Sequence, residues 1–164
     1  MSLRPLARGD WPAVLALNQA SVDELSDLAG ERLRYVLSLA HRALDAEADG
    51  EVVAFALAMA PWAAYDSPNY RWFTQHFASF LYLDRIAVDA HSRRRGIGAL
   101  LYDEMEDAAR AFGRMVCDVN IAPRNEASLA FHEARGYREI ARLEHPEKVV
   151  ALMCKELGEG SQDL

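Results

Sequence analysis

A strand that feeds a basic, glycine-bearing loop into a long helix constrains this chain more than any other feature. The segment reads Ile86-Ala-Val-Asp-Ala-His-Ser-Arg-Arg-Arg-Gly-Ile-Gly98. The residues leading into it, 80–88, are apolar and aromatic apart from Asp84 and Arg85, and predict a central strand. Beyond it, Ile97, Leu100, Leu101, Met105, Ala108, Ala109 and Phe112 keep a helical period, and Gly113 is placed to end the helix. Glycines let a backbone approach a ligand closely, and a helix start exposes unpaired N–H groups carrying partial positive charge. Phosphate oxygens are the natural guest. Arg93, Arg94 and Arg95 add charge at the same place. Taken alone, the loop reads better as a solvated basic turn capping a helix. Two familiar phosphate motifs are excluded. No lysine or hydroxyl follows Gly98, as a P-loop requires, and Leu101 stands where a Rossmann fingerprint has its third glycine.

The rest of the chain supplies a sheet around this unit. A strand over about residues 3–6 leads to Asp10-Trp-Pro12, where Asp10 suits a helix N-cap and Pro12 the first turn. One helix then runs to about Val22 and a second occupies about residues 30–40. Asp49-Gly50 is a strong hairpin signal, joining strands near residues 42–47 and 51–60. An aromatic-rich connection follows, with a short helix over residues 71–77. After the long helix come a strand over residues 115–120, a helix from Asn125 to Gly136, and strands over residues 137–143 and 148–156 around His145-Pro146. This order predicts one α/β (α+β) domain over residues 1–157, a mixed sheet covered by helices, with a frayed tail over 158–164.

Composition narrows the function classes. The 164 residues carry 18 Lys+Arg against 25 Asp+Glu, a net charge of −7. That balance argues against nucleic acid or an anionic membrane as the main partner. The longest apolar run, residues 52–64, contains Pro61 and is too short to span a membrane. The first nine residues lack the apolar stretch of a signal peptide. Cys117 and Cys154 stand far apart in apolar segments with no Cys/His cluster, so no metal site or disulfide framework is expected. Two buried thiols suit a reducing cytoplasm.

Arg93, Gly96 and Gly98 match [QR]-x-x-G-x-[GA], the acetyl-CoA loop of the GNAT N-acetyltransferase superfamily, which the chain resembles. A second segment, Asn125-Glu-Ala-Ser-Leu-Ala-Phe-His-Glu-Ala-Arg-Gly-Tyr137, resembles that family's N-x-x-[AS]-x-x-[LF]-[YH]-x-x-x-G-[FY] helix. The two motifs cover residues 81–137 in the right order, and the flanking elements agree. The resemblance implies a sheet of about seven strands flanked by about four helices. It also implies acetyl-CoA as cosubstrate and transfer of an acetyl group to an amine.

Each part then has an implied job. Backbone amides of Arg94, Arg95, Gly96, Ile97, Gly98 and Ala99 hold the pyrophosphate with Arg93 close by, while the edge of Ile86, Ala87 and Val88 bonds the pantetheine arm. Asn125 and His132 lie two helical turns apart and share a face with Ser128, while Ala127, Phe131 and Ala134 share another that looks like core. Asn125 is an N-cap, a coenzyme A contact as in the family, or both. His132 stands where many relatives carry a tyrosine that protonates the departing thiolate. It reads as that acid or as a hydrogen-bonded structural histidine. Tyr82, Asp84 and Ile86 alternate onto one strand face, and Asp84 is the candidate base. Its other reading is an arginine's ion-pair partner. Asp118 is a weaker candidate, and a water chain serves as a third.

Trp62, Tyr65, Tyr70, Trp72 and Phe73 either wall an amine site or pin the long connection as core, and core suits most of them. Their segment, Tyr65-Asp-Ser-Pro-Asn-Tyr-Arg-Trp-Phe73, resembles a signature of a small bacterial branch of the superfamily. Neither cysteine has a basic partner at motif distance, so no covalent enzyme intermediate is expected. A non-catalytic acyl-CoA-binding or regulatory module is the rival from another class, and a peptide-terminus acetyltransferase is the second. Dimers are common in the family, which makes a homodimer an expectation of the resemblance.

Overall fold

The structure is a computed structural model that describes residues 1–21 and 28–158. Among the described residues, seven strands form one sheet in the order β1-β2-β3-β4-β5-β7-β6. They are β1 (Ser2–Pro5), β2 (Arg42–Ala48), β3 (Glu51–Met59), β4 (Leu81–Val88), β5 (Arg114–Ala122), β6 (Arg138–His145) and β7 (Lys148–Glu156). The α-helices among the described residues are α1 (Trp11–Ala20), α2 (Gly30–Leu39), α3 (Pro68–His76), α4 (Ile97–Ala109) and α5 (Glu126–Ala134). Neighbouring strands are antiparallel except β4 and β5. A parallel pair needs a crossover, and α4 supplies it.

The β2–β3 hairpin turns at Asp49 (φ 52°) and Gly50 (φ 80°), the positive-φ pair that a two-residue hairpin requires. Strand β3 then sorts its side chains by size. Ala54, Ala56 and Ala58 face the core beneath α4 with Ile97, Leu101 and Met105. Phe55, Leu57 and Met59 face the opposite core with Val14 of α1, Leu33 of α2 and Phe73 of α3. Small residues on one side admit the long α4, and large ones fill the space under three shorter helices.

Several expectations need correction. The Asp10 carboxylate makes no side-chain cap on α1. It instead accepts from the Ala7 N–H and from Arg4, both at 2.9 Å, because the chain enters α1 through a 3-10 turn, Arg8–Asp10. Helix α3 begins three residues earlier than read, with Ser67 accepting from the Tyr70 N–H and Pro68 in the first turn. Leu100 is 40% exposed and lies off the core stripe. On α5 the expected core face holds only at Phe131, which packs against the core and Tyr102; Ala127 and Ala134 are exposed while His132 is buried, because α5 turns its Ser128–His132 side toward α4. Val22, the expected end of the first helix, and residues 159–164 of the tail lie outside the described residues.

The correction that matters most for function lies on β4. Consecutive residues Leu57 and Ala58 of β3 oppose Arg85 and Leu83, leaving Asp84 as the extra residue of a β-bulge. Alternation breaks there. Tyr82 packs in the core under α1–α3, whereas Ile86 packs against the α4 core, so the two do not share a face. Asp84 and Arg85, adjacent in sequence, both turn toward the α1–α3 side, where they meet Tyr65 and Asn18 respectively.

Candidate active site

Strands β4 and β5 pair only at Leu81↔Met115 and Tyr82↔Val116, and then diverge. Two cavities open into this split, one from each side. The first, about 450 Å³, runs from the split toward the start of α4 and the face of α5. The second, about 510 Å³, is walled by the start of α3, by Arg32 of α2 and by the β6–β7 turn. Asp84, Arg85 and Asp118 line both. They stand at the junction.

Ile86, Ala87 and Val88 line the first cavity along the edge of β4 that β5 has left. At the end of the strand a 3-10 turn, Ala90–Arg95, carries the basic loop, and Asp89 caps it by accepting from the His91 N–H at 3.1 Å. Arg93 lines the cavity, its Nε donating to the Val88 carbonyl at 3.3 Å. Gly96 has φ 75°, the left-handed turn that aims α4, and its carbonyl accepts the helix bond from the Leu100 N–H at 3.1 Å. The amides of Ile97, Gly98 and Ala99 precede that bond and belong to the unpaired first turn. A Cβ on Gly98 would meet nothing within 4 Å, and Gly98 lines the cavity, so the helix start has open space in front of it. Arg95 is exposed, and Ile97 turns its side chain into the core.

Opposite this loop, Asn125 caps α5 by accepting from the Ser128 N–H at 3.2 Å while also lining the cavity. His132 is buried on the next turns. Its Nδ1 lies 2.7 Å from the Ser128 carbonyl oxygen, which only accepts, so Nδ1 carries the proton. Its Nε2 accepts from the Tyr102 hydroxyl. Burial, the largest influence, lowers the His132 pKa below its ordinary value, so the ring is held neutral. Tyr102 also lines the cavity, and burial pushes its phenol well above the usual tyrosine value. Sequence reading missed Tyr102 because it stands one position past the apolar stripe of α4. Its signal is the four-residue spacing Gly98, Tyr102, Glu106, a row that faces α5.

At the junction, Asp84 accepts from the Tyr65 hydroxyl at 2.8 Å, and its second oxygen lies 3.4 Å from Arg85 Nε. Burial raises its pKa to about 6, outweighing the pull of Arg85 and Tyr65. It is thus both an arginine's partner and a carboxylate titrating near neutrality. Asp118 accepts from the Tyr82 hydroxyl at 2.6 Å, and its pKa is also raised, chiefly by burial. Of the five aromatic residues in the connection, Tyr65 lines the second cavity. Tyr70 and Phe73 are core, Trp72 stacks on His76, and Trp62 is 75% exposed. Among the described residues, no group of three or more His, Cys, Asp or Glu side chains is arranged to hold a metal ion. No helix among them is long and apolar enough to cross a membrane.

Comparisons with known proteins agree with this architecture. The family model described as the acetyltransferase (GNAT) family matches residues 3–137. The ribosomal-protein-S18-alanine N-acetyltransferase from Escherichia coli superposes with a TM-score of 0.74 at 16% identity, covering 99% of this chain and 97% of that one. A ribosomal-protein-alanine N-acetyltransferase from Brucella melitensis gives 0.71 at 22% identity, covering 96% and 100%. A phosphinothricin acetyltransferase from Sinorhizobium meliloti, solved in complex with AcCoA, gives 0.70 at 21%, covering 99% and 91%. With its family match spanning most of its length, the chain belongs to the GNAT acetyltransferase family.

Proposed function

We propose that the protein is an N-acetyltransferase that moves the acetyl group of acetyl-CoA directly to a primary amine. The cosubstrate occupies the first cavity and the amine the second. The observation that carries this reading is the meeting of the two cavities at Asp84, Arg85 and Asp118, where β4 leaves β5. The open first turn of α4 and Arg93 suit the pyrophosphate, with Arg94 and Arg95 adding charge, and the free edge at Ile86, Ala87 and Val88 suits the pantetheine amides. Asn125 and His132 close the far wall.

Acetyl-CoA supplies an acetyl thioester, so that a C–N bond forms, the C–S bond breaks, and an amide and a free thiol result. Asp84, ionised above about pH 6, takes the ammonium proton and passes it to solvent, then takes the proton released as the amide forms. His132 acts through Tyr102. With the imidazole neutral and its Nδ1–H held by Ser128, the Tyr102 hydroxyl gives up its bond to Nε2 and turns its one proton to the departing sulfur, and the resulting phenolate is reprotonated from solvent. Two buried free thiols, Cys117 and Cys154, support a reducing, cytoplasmic setting.

The test is acetyl-CoA-dependent release of free thiol with a mixture of primary amines. Release that requires an amine and is lost in Asp84→Asn is expected. Tight acetyl-CoA binding with no release for any amine would instead favour the non-catalytic module.

A further inference from the structure

The second cavity carries charge of both signs. Asp84 lines it where it meets the first cavity. It is also lined where the start of α3 meets the β6–β7 turn, tied by His145 Nε2 and Asn69 Oδ1 at 2.9 Å, and the Asn69 side chain also hydrogen-bonds Asp118. Lys148, the first residue of β7, lines the cavity beside that tie. The other cations there are engaged. Arg32 holds Asp66 through two bonds of 2.9 and 2.7 Å, and Arg85 lies against Asp84 and donates to Asn18. Among the described residues the Lys148 side chain makes no ion pair or hydrogen bond, although the residue is half-buried and its charge is felt at Asp118. The N-terminus of α3 lines the same cavity with Ser67, Pro68 and Asn69. Pro68 has no N–H, and the Tyr70 and Arg71 amides donate to Ser67, which leaves the Asn69 amide to add partial positive charge to that of Lys148.

We infer that the acceptor is a small amino acid-like zwitterion, its amine directed to Asp84 and its carboxylate, or an equivalent anion, to Lys148 and the start of α3. This rests on the acetyltransfer reading above and names the substrate class for the same site. A molecule carrying both an ammonium and an anion finds Asp84 for the one and Lys148 for the other. A polyamine brings its second ammonium toward Lys148, where like charges repel. A peptide N-terminus carries an amide where the site offers charge, leaving Lys148 without a partner.

The experiment uses the full chain, saturating acetyl-CoA and thiol release as the readout. Each L-α-amino acid is compared with its own carboxamide, alongside spermidine and a set of short peptides. The expected result is at least one amino acid whose kcat/KM exceeds that of its carboxamide by about tenfold or more, the scale of a charge-assisted hydrogen bond. In Lys148→Gln that ratio falls toward one through a rise in KM for the acid. Because acid and amide are compared within one variant, a general loss of folding leaves the ratio intact. Amides, spermidine or peptides acetylated better than every amino acid overturn the inference, as does a ratio unchanged in Lys148→Gln or no turnover of any amino acid. The thermal shift produced by acetyl-CoA separates the two levels. A shift with turnover of some other amine removes the substrate class alone, whereas no shift and no turnover remove the acetyltransfer reading with it.

Discussion

Tyr102 and His132, 30 residues apart on α4 and α5, are joined by a hydrogen bond of 2.5 Å between the phenol and Nε2. Ser128 fixes the other ring nitrogen, so the pair has a defined direction, with the phenol donating. A histidine of α5 thus orients a tyrosine of α4.

Tyr102→Phe tests that arrangement. Loss of a positioned proton donor is expected to lower kcat about 100-fold while acetyl-CoA affinity stays within about threefold. The deficit shrinks with thioesters of more acidic thiols, whose leaving group needs less protonation. An equal deficit for all thioesters would make Tyr102 a packing residue. Comparing kcat across a thioester series decides between them.

The pH profile follows from Asp84. Its carboxyl, raised to about 6 by burial, must be ionised to act as base. Activity therefore falls as pH drops through about 6 and is retained above it. Tyr65 donates to this carboxylate and favours the charged form. Tyr65→Phe consequently moves the inflection of kcat/KM to higher pH, and Asp84→Asn removes that limb together with most of the activity. A profile in Tyr65→Phe that moves to lower pH contradicts the assignment.

Glu106 tests how the pair is held. It is buried and accepts from Arg135, from the Tyr137 hydroxyl at 2.7 Å and from Lys155 at 3.0 Å, tying α4 to the end of α5 and to β7. Burial pushes its carboxyl up, but these partners outweigh it and hold the pKa below the ordinary 4.5. A depressed folded-state pKa means stabilisation that is present above the unfolded value and lost as pH falls through the folded one. Glu106→Gln is expected to cost about 3 kcal/mol, read from the urea midpoint at neutral pH, with the difference from the parent narrowing below pH 4.5. A pH-independent difference would mean packing, not charge, is lost.

The element order was legible because it rests on local chemistry: helix period, an Asp-Gly turn, glycines at a helix start. The site was legible only in part. Period-two alternation put Asp84 with Tyr82 and Ile86, and the bulge that turns Asp84 and Arg85 together carries no local signature in an apolar strand. On α5 the stripe Ala127, Phe131, Ala134 looked like core, yet only Phe131 packs inward and the buried residue beside it is His132, which meets α4 through Tyr102. Arg32, Asn69, His145 and Lys148 belong to four elements, and only the folded sheet brings them to one cavity. Trp62, one of the five aromatic candidates, ends on the surface beside Phe112.

The central claim, that the first cavity is built for acetyl-CoA, is tested most directly by thermal unfolding of the parent and of Gly98→Val over a range of acetyl-CoA concentrations. A Cβ on Gly98 meets nothing within 4 Å in the free protein, so the variant should unfold within about 2 °C of the parent when unliganded. The account predicts that acetyl-CoA raises the parent midpoint steadily, since ligand held by the folded state alone stabilises it by mass action, and that Gly98→Val loses the shift. A parent midpoint unmoved at millimolar acetyl-CoA, or an equal shift in Gly98→Val, would contradict it.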